Sequence, residues 1–214
     1  MAEAAIDKPM IVNWALAELG QPPRFSTDDQ TNLGRNVAIF WPRCLARCLG
    51  LADWTFTRRT VSLTRQSGQP INGWPYAFDL PGNRIGPPRR FTRDAQCRIL
   101  IRDFDIEGDT LFCAEQTAFA RYKAAVDPEY WPPDFLSAFA TALASYLAIP
   151  ETQDPDLAAE MEARAFGSPS QGGAGGLFGR LIAQDLAGAP VGEPLLAADP
   201  LTAGRASSPW HGRF

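Results

Sequence analysis

The side chains able to do chemistry are few, and their spacing does not suit catalysis. The chain's one histidine, His211, follows Ser208-Pro209-Trp210 in an aperiodic stretch. A Ser/His/acid or Cys/His arrangement would have to recruit that terminal arm. The cysteines are Cys44, Cys48, Cys97 and Cys113. Cys44 and Cys48 stand i,i+4 on a predicted helix, and Cys97 and Cys113 fall in predicted strands. A four-Cys zinc site needs two closely spaced ligand pairs, and Cys97 with Cys113 is not one. The expectation is four reduced thiols acting as small hydrophobes. Asp103, Asp105, Glu107 and Asp109 alternate through a predicted hairpin and superficially suggest calcium. Gly108 is not where an EF-hand loop needs its glycine, and no bidentate Glu follows, so a solvated turn is expected. Gly172-Gly173 and Gly175-Gly176 lack the strand and lysine of a phosphate-binding loop. No catalytic residue, metal or cofactor is therefore expected.

Arginine is the other chemistry-bearing residue. The chain has 18 Arg and only 2 Lys. Residues 24–102 hold 13 Arg and no Lys against 5 Asp, a local net of +8. Residues 103–166 hold 13 acids against 3 basic residues, a local net of −10. Such a split can steer partners, or the two segments can neutralise each other within one fold or across subunits. Arg without Lys favours bidentate carboxylate pairing. Arg58, Arg59, Arg89 and Arg90 are the candidate residues for a contact between subunits or with a further protein. The alternative is an Arg-rich nucleic-acid-binding module, since aromatic residues interleave with Arg from Trp54 to Arg65 and from Arg84 to Arg102.

The elements that must hold these side chains follow from period and punctuation. The 214 residues are 45% apolar, enough for a sizeable core. The 18 Gly and 19 Pro predict long irregular stretches beside it. The longest weakly polar run, Phe135 to Ile149, is too short to span a bilayer, and no basic n-region precedes an apolar run. No membrane contact or secretory signal is expected. Asp7-Lys8-Pro9 opens a helix bearing Ile11, Ala15, Leu16 and Leu19, and Gly20 closes it. Thr27-Asp28-Asp29-Gln30 fits a capping box for a second helix with Leu33, Val37, Phe40, Trp41, Cys44 and Cys48 on one stripe, kinked at Pro42. From Thr55 the period becomes that of strands. Cys97-Arg98-Ile99-Leu100-Ile101-Arg102 alternates as a strand, Phe104–Ile106 and Leu111–Ala114 form a hairpin around Gly108, and Phe119 and Tyr122 mark one more strand. Phe135, Phe139, Leu143 and Leu147 predict a buried helix stopped by Pro150. Asp154-Pro155 starts a shorter helix with Leu157 and Met161. Gly167–Gly176 is a Gly/Ser linker, and Leu177 to Leu186 forms one more amphipathic helix.

The fold class is α+β: a small helical bundle with an antiparallel β-insert between its second and third helices, plus an extended C-terminal arm. The boundaries are 1–54 and 130–166 for the bundle, 55–129 for the β-insert, 167–187 for the Gly-rich linker and short helix, and 188–214 for the arm. The arm ends in Trp210, Arg213 and Phe214, an aromatic–Arg set of the kind that anchors interfaces.

Several of these segments together resemble a known family. They are Trp14 with Leu19-Gly20, the Thr27–Trp54 helix running into Trp54-x-Phe56, and Gly73-Trp74-Pro75-Tyr76-Ala77-Phe78-Asp79-Leu80-Pro81. Ile106–Leu111 follows, then Ala120-Arg121-Tyr122 through Pro132-Pro133-Asp134-Phe135 into Ala138–Ala148. Across roughly residues 6–166 the order is similar to that of phage head-to-tail connector proteins, the tail tubular protein A and packaged-DNA-stabilisation type of short-tailed phages. The resemblance implies a non-catalytic virion protein of the tail or neck, assembled in the host cytoplasm. It implies a ring of about twelve copies below the portal protein, carrying the channel for packaged DNA and supporting a tail nozzle or tail tube protein. It also implies that the C-terminal arm, with Trp210, Arg213 and Phe214, reaches toward the portal.

Overall fold

The computed structural model describes residues 6–172 and 175–188. The protein is α+β, with a helical bundle and two small antiparallel sheets inserted between its second and third helices. Helix α1, Lys8–Glu18, starts where the Asp7 carboxylate accepts the Met10 amide at 3.0 Å. It ends at Gly20, whose φ of +69° lets the Gln21 amide return to the Leu16 carbonyl. Helix α2, Asn32–Gly50, starts later than the expected capping box. The Asp29 carboxylate is taken by the Thr31 amide in a local turn, and Thr31 becomes the cap, accepting from the Gly34 amide. Gly34 is required there, because a Cβ would collide with the Asp29 carbonyl. The helix carries Pro42 within it and buries Leu33, Val37, Cys44, Cys48 and Leu49.

Helix α3, Pro133–Thr152, lies at the centre of the bundle and buries Phe135, Phe139, Leu143 and Leu147. Pro150 does not stop it. A proline in the last turn costs one hydrogen bond, and Gln153, in the left-handed conformation at φ +57°, closes the end by donating to the Ile149 carbonyl. Asp154 then caps α4, Pro155–Phe166, accepting the Asp156 and Leu157 amides.

The stretch expected as a flexible linker is instead a built turn where it is described. A 3₁₀ turn spans Pro169–Gln171, and the Gly175 amide bonds the Phe166 carbonyl at 2.8 Å. Gly167, Gly175 and Gly176 approach so closely that added Cβ atoms would meet backbone. Helix α5, Gly176–Ala187, follows and drives Phe178 fully into the bundle core. That ring stacks on Phe166 at 5.2 Å and meets Phe135 at 5.8 Å and Trp54 at 6.2 Å.

The insert has strands β1 Arg58–Ser62, β2 Thr64–Arg65, β3 Tyr76–Asp79, β4 Arg90–Thr92, β5 Phe104–Glu107, β6 Thr110–Cys113 and β7 Phe119–Lys123. One sheet has the order β1-β7-β4 and the other β2-β3-β6-β5, all antiparallel. Phe91 and Ala120 of the first share a core with Phe78, Leu111 and Cys113 of the second, so the two sheets form a small sandwich. The expected strand Cys97–Arg102 is not one. The Asp94 carboxylate accepts the Arg98 and Ile99 amides and winds the chain into a turn, with Cys97 at φ +59°. Only the isolated bridge between Thr92 and Leu100 remains. Among the described residues, no helix is long and apolar enough to cross a membrane.

Candidate interaction surface

Of the four arginines singled out in the sequence, Arg58 and Arg89 meet at the junction of bundle and sandwich. Asp53, just beyond α2, faces Arg58 Nε at 3.2 Å and Arg89 Nε at 3.9 Å. Arg58 also donates to the Asp53 carbonyl at 2.7 Å. Beside them Lys123 on β7 is buried, and its Nζ donates to the carbonyls of Leu49 at 2.9 Å and Ala52 at 3.2 Å. These carbonyls lie at and just beyond the C-terminal end of α2, where a cation is favoured. Burial holds the Lys123 ammonium below the usual lysine range, and Arg89 pushes it the same way while Asp53 opposes. Arg58 and Arg89 thus share one carboxylate, Lys123 holds the neighbouring carbonyls, and this clamp ties β1 and β7 to the bundle.

Arg59 and Arg90 do not join this clamp. Arg59 is exposed and turns its guanidinium to the Phe56 and Arg58 carbonyls, at 3.1 Å and 2.8 Å. Arg90 on β4 stands directly across from Arg121 on β7, whose other neighbour is Thr60 on β1. Like charges in register repel. Among the described residues, no carboxylate lies within ion-pair distance of Arg59, Arg90 or Arg121. Sequence reasoning missed Asp53, Arg121 and Lys123 as members of this surface. Arg121 and Lys123 were hidden in a segment whose summed charge is acidic. The signal was the strand alternation Phe119-Ala120-Arg121-Tyr122-Lys123, which puts both cations on one face.

The other sheet carries the acidic residues Asp79, Asp105 and Glu107. Asp79 on β3, Thr110 on β6 and Glu107 on β5 make one cross-strand row. Asp105 stands across from Phe112 in the next row. Their neighbours are mostly amides: Gln66 donates to Asp79 at 2.6 Å and Asn72 to Glu107 at 3.2 Å. Arg84 pairs with Asp109 in the hairpin turn at 2.5 Å. Among the described residues, no group of three His, Cys, Asp or Glu side chains converges as metal ligands.

The thiols have unlike surroundings. Cys44 and Cys48 are buried with sulfurs 3.9 Å apart, and burial, with Cys44 beside it, pushes the Cys48 thiol well up. Burial also raises Cys113, while Cys97 is partly exposed. A cleft of about 520 Å³ opens between Trp54, Phe56 and Phe135 on one side and Leu181, Asp185 and Gly188 on the other. Asp185 accepts the Thr55 hydroxyl at 2.5 Å and ties α5 to the start of the insert. Trp210, Arg213 and Phe214 lie outside the described residues, as does the arm beyond Gly188. The surface that results is charged and strand-borne. No protein-family model and no curated protein matches the chain.

Proposed function

We propose that the chain is a structural virion protein, a head-to-tail adaptor. It forms a ring of about twelve copies below the portal protein, extends the DNA channel and supports a tail nozzle or tail tube protein. Its part in the particle is assembly and retention of packaged DNA, with no catalytic step. The observation that carries this reading is the run of connector-like segments across roughly residues 6–166. They fall on α1, α2, the strands of the insert and α3, the elements that make up both halves of the fold. A heterologous ring also needs two different complementary surfaces on each subunit, and the basic segment 24–102 and the acidic segment 103–166 would supply them. The unpaired Arg90 and Arg121 favour a second reading, an Arg-rich nucleic-acid-binding module. Imaging of the tail vertex separates them. A closed ring of this chain on the portal axis is the expected result, and a single copy or a position away from that axis overturns the adaptor.

A further inference from the structure

The strand register makes the sandwich a slab with outer faces of opposite charge. Side chains alternate along a strand, so neighbours of a core residue point away from the core. On the β1-β7-β4 sheet, Phe91 and Ala120 point inward. Arg90, Arg121 and Thr60 therefore form one outward row; Phe119 and Ser62 follow in the next, where their neighbour Thr92 is buried. On the other sheet, Phe78 and Leu111 point inward. Asp79, Thr110 and Glu107 form one outward row there, and Phe112 lies beside Asp105 in the next. Each outer face thus has a half-buried phenylalanine flanked by charge, Phe119 with Arg90 and Arg121, and Phe112 with Asp105 and Glu107. An aromatic centre with a charged margin is the composition of a protein–protein contact.

We propose that the Arg90–Arg121 face of one copy docks on the Asp79–Asp105–Glu107 face of a second copy, head to tail. Two like faces repel, so the contact is heterologous, and repetition of it closes a ring or runs on as a filament. It supplies a subunit contact for the adaptor ring and rests on that reading. A second copy fits better than a nucleic acid. The sheets of a sandwich stand about 10 Å apart, about one Debye length at moderate salt, so a polyanion drawn to one face feels repulsion from the other. A second copy turns both faces to use.

The test is a charge swap in the purified full-length chain, read by sedimentation velocity. Wild type should self-associate at low ionic strength, and the association constant should fall at least about tenfold at high salt. R90E/R121E has two acidic faces and D105R/E107R two basic ones, so each alone should be monomeric. An equimolar mixture of the two should regain alternating oligomers, a rescue that also shows both variants to be folded. Wild type that stays monomeric at low salt, or a mixture that stays monomeric where wild type associates, overturns the contact. Association that persists in both variants also overturns it, yet leaves the ring standing on some other surface, and imaging of the vertex decides the ring separately. A chain that binds duplex DNA without self-associating, losing it in R90E/R121E and keeping it in D105R/E107R, overturns the contact in favour of the nucleic-acid module.

Discussion

Asp94 shows how one side chain redirects a segment that reads as a strand. Its two carboxylate oxygens accept separate amides, Arg98 at 3.0 Å and Ile99 at 2.7 Å. Those amide bonds hold its carboxyl below the ordinary value of 3.8. A carboxyl lowered in the folded state stabilises fully above its unfolded pKa, and that contribution is lost as pH falls through the lower folded value. Asn puts an NH2 donor in place of one of these two oxygens, so one of the amides loses its acceptor. Asp94→Asn should therefore lower the thermal unfolding midpoint at neutral pH, and the difference from wild type should shrink as the pH is taken down into the acid range and Asp94 itself takes up a proton. Melting curves of both chains across that range check it. The alternation of Ile99 and Ile101 with Arg98 and Arg102 was legible in the sequence, but the competition from Asp94 was not. A local side-chain-to-backbone turn leaves the hydrophobic pattern unchanged while removing the ladder. Arg121 and Lys123 were missed for a related reason. Segment charge sums over residues that a strand sends to opposite faces.

At the level of elements, the helices with strong caps were legible: Asp7 for α1 and Asp154 for α4 stand where local chemistry puts them. The amphipathic run of α5 was legible too, and its docking was not. Its attachment depends on glycines that read as flexibility in sequence and act as close packing in space. Gly175 and Gly176 turn the chain against Phe166 so that Phe178 reaches an aromatic group formed by Trp54, Phe135 and Phe166. Those rings come from the segment after α2, the start of α3 and the end of α4, so α5 closes the bundle from outside. Removing a fully buried phenyl ring costs about 3–5 kcal/mol. Phe178→Ala should lower stability by about that amount, and Phe178→Leu, which keeps most of the volume, by less than about 1.5 kcal/mol. Urea unfolding of both variants checks this. A wild-type midpoint in Phe178→Ala would show that α5 stands outside the cooperative unit.

For the whole molecule, the division into bundle and insert decides what the C-terminal arm can be. The bundle carries the apolar core, and the sandwich is fixed to it through Lys123, Asp53 and Arg58. Within the described residues, α5 completes this body at Ala187, with Phe178 locked in the core. Residues 188–214 show no helical or strand period, yet they end in Trp210, Arg213 and Phe214, side chains of the types that dominate interface energies. Two large aromatic rings and a guanidinium are poor choices for a segment that only meets water. In the adaptor reading the arm binds the portal, and its energy is spent on attachment rather than on folding. Removal of residues 188–214 should therefore leave a chain whose unfolding midpoint matches wild type, since α5 and its aromatic contacts are kept. The same chain should fail to join portal-bearing capsids, which would then lose packaged DNA. Trp210→Ala with Phe214→Ala in the full-length chain should weaken joining in the same direction. Each interface hot spot is worth about 2 kcal/mol or more, so the double variant should bind at least about a hundredfold more weakly. Capsids that accept the shortened chain and hold their DNA as before would show that the anchor lies in the folded body, and that the arm has another purpose.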